Sequence, residues 1–147
     1  MLLKSLRFIG IALVVVLVAI QLVPYGRHHT NPPGRVEPPW DRPATRDLAV
    51  RTCYDCHSNE TIWPWYSHVA PMSWLAQRDV EEGRRKVNFS EWDRPQKEAP
   101  ESAKTVRKGE MPPWFYVALD SDARLTAEET KALIAGLEAT PGTKGRR

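Results

Sequence analysis

The chain has 147 residues, with 21 Lys plus Arg against 18 Asp plus Glu, two Cys, 13 Pro and six Trp. That length suits one small domain rather than two, and the net charge of +3 invites a nucleic-acid reading. The distribution of charge excludes it. Lys4, Arg7 and Arg27 stand among the first 29 residues with no acid, and Lys144, Arg146 and Arg147 fall in the last four, leaving fifteen bases against eighteen acids in 30–143. The basicity belongs to the two ends, so no basic face for nucleic acid is expected on the folded part.

Lys4 and Arg7 precede a run from Phe8 to Ile20 without a polar side chain, and Leu22 and Val23 carry it past Gln21 to Pro24. A basic start and an apolar run of this length fit an export signal. No small-x-small cleavage site and no Cys for lipidation precede Pro24-Tyr25-Gly26. Residues 6–23 would reach about 27 Å as a helix at ~1.5 Å per residue, enough for a bilayer core. An uncleaved anchor over 1–24 is the first expectation, and a cleaved signal is the alternative. The positive-inside rule keeps Lys4 and Arg7 cytoplasmic, so the remainder faces the extracytoplasmic space. Six of the twenty residues from Pro24 to Pro43 are Pro, which predicts a stiff, semi-extended tether over 25–43.

Both cysteines lie in Cys53-Tyr54-Asp55-Cys56-His57, the C-x-x-C-H attachment pattern of haem c. Two thiols at this spacing can add across the two haem vinyl groups as thioethers, and the adjacent imidazole reaches the iron from one face. Competing uses of the pair fit less well. A disulfide would make a tight, redox-active loop; a thioredoxin-like motif needs a βαβ context that is absent from the pattern; a zinc site needs two more ligands at paired spacing. Covalent attachment agrees with export, because bacteria attach haem outside the cytoplasm.

The haem domain is expected over 44–140, with a basic tail at 141–147. Asp41-Arg42-Pro43 reads as a helix start, with Asp41 able to cap and Pro43 in the first turn. Residues 44–56 lack Gly and Pro and show only a weak apolar stripe, so this helix is expected to lean on the haem. Beyond His57, Ile62, Trp63, Trp65 and Tyr66 crowd around Pro64, a loop suited to walling a flat apolar ligand. Pro71 opens a second helix to about residue 86, with Met72, Leu75, Ala76 and Val80 on one face. Residues 88–92 read as a turn, and a third helix, whole or broken at Pro100, runs to about residue 108 and stops at Gly109. The last helix starts at the capping box Thr126–Glu129, continues through Leu133, Ile134 and Leu137, and stops at Pro141. No strand pattern and no repeat occurs, so the fold class is all-α.

CYDCHSNET (53–61), WPWYS (63–67), AP-x-SWL (70–75), DV-x-x-GR (79–84), NFSEW (88–92) and GEMPPWFY (109–116) together resemble the bacterial haem-binding domain proteins, small extracytoplasmic relatives of c-type cytochromes. The resemblance covers roughly residues 31–138. It implies one covalent haem c, a small cytochrome c-like helical domain and an N-terminal anchor in the inner membrane, with the haem domain in the periplasm. A secreted periplasmic form is the alternative. The sequence departs from the family in lacking a His-Pro pair near Asp120-Ser121.

Candidates for the second axial ligand are Met111, His68, Met72, His28 and His29. Met111 leads, because it stands 54 residues after His57 on a loop stiffened by Pro112-Pro113 and precedes the last helix. His68 is its main rival; Met72 reads as core, and His28 and His29 as solvated tether residues. Trp63, Trp65, Trp74 and Trp114 are expected to bury the haem, with Tyr66 beside them. Arg51, Arg78, Arg84 or Arg107 are candidates to pair its propionates. Asn59-Glu60-Thr61 and Asn88-Phe89-Ser90 match glycosylation sequons by coincidence. The expected function is a membrane-tethered electron carrier with His57 and Met111 on the iron, not an enzyme, whose redox partner presents a basic docking patch. A haem-based ligand binder or sensor is the alternative, and a peroxidase-type enzyme using His68 is a weaker one.

Overall fold

A computed structural model describes residues 2–142. It contains α1 (Leu2–Ile20), α2 (Pro43–Thr52), α3 (Tyr54–His57), α4 (Met72–Lys86), α5 (Ser102–Arg107), α6 (Trp114–Leu119) and α7 (Ala127–Ala139), with 3-10 turns at Trp65–His68, Ala99–Glu101 and Ser121–Ala123. Among the described residues the only ladder contact is an isolated parallel bridge between Val36 and Glu91. The protein is all-α. The expected basic tail from residue 143 onward lies outside the described residues.

Two compact units divide the chain: residues up to Thr30 with Trp63–Asp79, and Asn31–Ile62 with Val80 onward. In the first unit, α1 carries its described apolar side chains exposed from Leu6 to Val18. Hydrogen bonds from Gln21, Leu22 and Val23 N–H to Val18, Ala19 and Ile20 carbonyls continue the winding past its end. Among the described residues no helix is long and apolar enough to cross a membrane. The Gln21 side chain then pairs with the Ala70 backbone in both directions at 3.0 Å, which docks the chain leaving α1 onto 70–74.

The second unit is built on α7. Leu133, Gly136 and Leu137 form its buried face at the i, i+3, i+4 spacing of a helical stripe, and the two leucines contribute about 1.5–3 kcal/mol each. α2 and α5 both pack against α7. α2 comes especially close, because a Cβ on Gly136 would collide with the Thr45 side chain. Ala49, Tyr54, Val87, Phe89, Ala99, Ala103 and Val106 complete the core. Thr126 accepts from Glu129 N, and the Glu129 carboxylate accepts from Thr126 N, so the expected capping box is present.

Three expectations change. The segment expected as a stiff, semi-extended tether over 25–43 is packed into the second unit from Asn31 onward. Arg35 N–H donates to Ser90 O at 2.8 Å, Trp92 N–H donates to Val36 O at 2.7 Å, the Arg46 guanidinium clamps Glu37 with two bonds of 2.6 Å, and Trp40 packs on Phe89. An extended Pro-rich chain finds no backbone partners within itself, and here the 90–92 turn supplies them for Arg35 N–H and Val36 O. The third helix shrinks to α5: residues 93–98 form a turn in which Gln96 accepts from Asn88 N and donates to Glu91 O. Finally, α2 begins at an N-cap Arg42 that makes no side-chain cap, with Pro43 in its first turn.

Candidate functional site

After α2 the chain turns through Cys53 directly into α3, so the attachment motif is a single helical turn. Cys56 N–H and His57 N–H both donate to Cys53 O, at 3.2 and 2.8 Å. Neither cysteine is in a disulfide, and both are half-buried. Burial pushes the Cys53 thiol pKa up, and the neighbouring Thr52 hydroxyl, 3.2 Å from its sulfur, opposes that shift.

The imidazole of His57 is the best-defined group of the site. Its Nδ1 lies 3.1 Å from both Gly83 O and Val87 O. Carbonyl oxygens only accept, so Nδ1 holds the proton and the lone pair is left on Nε2. Burial lowers the His57 pKa against the pull of the two carbonyls, which keeps the ring neutral at pH 7. A neutral imidazole with a backbone acceptor behind Nδ1 is the arrangement of an oriented metal ligand. Phe89 packs beside it, with ring centroids 6.4 Å apart.

Two features hold that turn in place. The first is Gly83 on α4: a Cβ there would fall onto the Cys56 carbonyl, so only glycine lets α4 approach closely enough for its carbonyls to reach His57. The second is a buried polar frame beneath residues 57–61. Phe89 N–H donates to His57 O at 2.7 Å, Asn59 N–H to Ser90 Oγ at 2.9 Å, and Asn88 Nδ2 to Asn59 Oδ1 at 2.8 Å. Asn88 Oδ1 accepts in turn from Ser90 N–H. Arg84 donates to Ser58 O, Asn31 Oδ1 and Thr61 Oγ1. Asn59 and Asn88 are 3% and 2% exposed, so the two sequon asparagines are interior framework. Arg84 is likewise committed to the protein, while Arg51 pairs with Glu129 and Arg107 with Glu138. These are the protein partners of three of the four arginines expected as propionate candidates.

Met111 is half-buried and packs against the same core as Cys53. It follows Gly109, whose φ of +71° ends α5 in the left-handed region. Trp114 opens α6 and is 80% exposed. In the other unit, Trp65 is also 80% exposed, while Trp63 and Tyr66 are half-buried. His29 differs from its expected solvation: it is half-buried and stacks on Trp63 with centroids 4.2 Å apart, and it meets the His68 ring at 4.5 Å. The structure therefore places Cys53, Cys56, His57, Met111 and Trp114 in one unit, and Trp63, Trp65, Tyr66 and His68 in the other.

Sequence reasoning missed Gly83, the Asn59–Asn88–Ser90 frame and the Asp55–Tyr116 contact. Gly83 stands in the motif DV-x-x-GR, and a glycine inside a helix costs about 1 kcal/mol relative to alanine; together these were the signals for a structural role there. The asparagine frame and the Tyr116 contact join residues far apart in the chain, and leave no local pattern.

An all-α domain that carries two thiols outside any disulfide and an oriented neutral imidazole on one helical turn has the donor set of a haem protein. The chain matches the model of the haem-binding domain family over residues 15–139. It belongs to that family and binds haem. Comparison with curated proteins and with solved structures returns no match.

Proposed function

We propose that the protein is a membrane-tethered extracytoplasmic cytochrome with one covalent haem c, held by Cys53 and Cys56 and ligated by His57 and Met111, and that it transfers electrons. The observation that carries this reading is the His57 Nδ1 pair of bonds to Gly83 O and Val87 O, which leaves the Nε2 lone pair as the donor on the same turn as the Cys53 and Cys56 thiols. When bound there, the iron supplies a one-electron couple, and a Met partner raises its potential relative to a more basic one.

Gly83 and Val87 hold the imidazole in one tautomer and one orientation. The short, stiff loop from Gly109 to Pro113 presents the Met111 thioether, and the exposed apolar side chains of Ile62, Trp114 and Phe115 supply surface suited to a flat apolar cofactor. Membrane attachment through α1 is supported by its basic start, its exposed apolar side chains and the continued winding through Val23. The excess of acid in residues 30–143 favours a partner with a basic docking face, so electron transfer should slow as ionic strength rises.

A spectroscopic and redox titration of the full-length holoprotein tests the reading. Met111→Ala should abolish the Met-to-iron charge-transfer band of the ferric form and lower the potential. An unchanged spectrum removes Met111 from the iron, and rapid CO binding by the ferrous wild type replaces the carrier with a ligand binder.

A further inference from the structure

Besides the packing of Met111 on the core, the strap formed by residues 109–119 is hydrogen-bonded to the rest of its unit at two points. At its start, Glu110 N–H and Met111 N–H both meet Thr105 O, at 3.0 and 3.4 Å. Five residues beyond Met111, the Tyr116 hydroxyl on α6 donates to Asp55 Oδ2 at 2.8 Å. Asp55 is part of the attachment turn itself, and its other oxygen accepts from Ile62 N–H at 2.9 Å, which aims the carboxylate. Its backbone carbonyl is fixed as well, by the Thr61 hydroxyl at 2.7 Å.

α6 contributes no buried side chain. An element with so little apolar burial sits at the low-stability end of a fold, so a charge-assisted hydrogen bond counts heavily in its attachment. The second acceptor of Tyr116, Asp120 Oδ2 at 3.3 Å, lies four residues on along the same segment and ties the strap to nothing else. Burial and the Asp55 carboxylate push the Tyr116 pKa up, so its hydroxyl stays a donor throughout the neutral range.

We propose that the Asp55–Tyr116 hydrogen bond is a latch that fastens the Met111 strap to the turn bearing His57, making Tyr116 a positioning residue for the Met111 thioether. The inference rests on the reading of Met111 as that ligand. With the latch made, added ligands must wait for the strap to open, and their apparent affinity scales with the open fraction. Breaking the latch raises that fraction. The chemistry of the added ligand is small and donor-bearing, imidazole for the ferric protein and CO for the ferrous.

The test is imidazole titration of the ferric full-length holoprotein, with the Met-to-iron band recorded in parallel. Tyr116→Phe should tighten imidazole binding by roughly 10- to 100-fold, the equivalent of ~1.5–3 kcal/mol at ~1.4 kcal/mol per decade, and weaken the band. Asp55→Asn keeps an acceptor and loses the charge, so a smaller rise is expected. Amide exchange over 110–119 should quicken in both variants. If Met111→Ala opens the iron while Tyr116→Phe changes neither affinity nor band, the latch is overturned. If Met111→Ala itself changes nothing, the ligand assignment fails instead. Should Tyr116→Phe not accumulate as holoprotein, Asp55→Ala, which leaves the Tyr116 hydroxyl no acceptor on the attachment turn, decides instead: tighter imidazole binding supports the latch, and unchanged binding overturns it.

Discussion

Gly83→Ala tests how the attachment turn is seated on α4. The added Cβ would overlap the Cys56 carbonyl and stand 3.1 Å from the Cys56 Cβ. The obstacle is backbone, which cannot rotate away as a side-chain tip can, so α4 and the turn must separate. Overpacking of this kind costs ~1–3 kcal/mol. Gly83 O and Val87 O move with α4, and weakening their two bonds to His57 Nδ1 costs ~0.5–1.5 kcal/mol each. The better helix propensity of alanine offsets about 1 kcal/mol. The net is about 3 kcal/mol of lost stability, and in a domain of ~100 residues each kcal/mol lowers Tm by ~4–8 °C. Circular dichroism melts of the full chain should therefore show a fall of roughly 12–24 °C. Weaker hydrogen bonding at Nδ1 also makes Nε2 a poorer donor, so the holoprotein's potential should rise. A variant with wild-type Tm and potential would refute the claim that the turn is seated through Gly83.

Asn88→Ala removes the donor to Asn59 Oδ1 and the acceptor for Ser90 N–H. It leaves two buried groups unsatisfied at ~1–3 kcal/mol each, and urea unfolding should show a loss of about 2–5 kcal/mol. The Glu37 carboxyl is held below its ordinary 4.5, chiefly by its hydrogen bonds to Arg46. The unfolded chain then binds more protons than the folded one, so this contribution is present above about pH 4.5 and lost as pH falls through the lowered pKa. Glu37→Gln should remove that part of the acid limb from a plot of stability against pH between 2 and 5, and an unaltered acid limb would show that the clamp carries no linkage.

The legible part of the site was local. C-x-x-C-H, the capping box at Thr126 and the helix stop at Gly109 each depend on residues within one turn, so their chemistry survives reading in one dimension. The stripe Leu133–Leu137 is legible for the same reason, since burial follows helical period. The 31–43 segment was misread because proline content reports stiffness and says nothing of what the stiff chain lies against. α6 went unseen because it buries no side chain and so carries no periodic stripe. The charge of Arg84 is visible in sequence, whereas the three oxygens it serves come from residues 26, 53 and 23 positions away and are not.

The sequence by itself determined the chemistry: two thiols and an imidazole at the spacing of one helical turn, an acidic domain between basic ends, and a haem-binding, all-α chain. Tertiary structure alone decided which nitrogen of His57 is left as donor, because Gly83 and Val87 reach it only after α4 folds back across the attachment turn. It also decided that Asp55 meets Tyr116, 61 positions along the chain. Covalent connectivity sets which groups exist, but hydrogen bonds between distant segments set how each one is oriented and which protons it keeps.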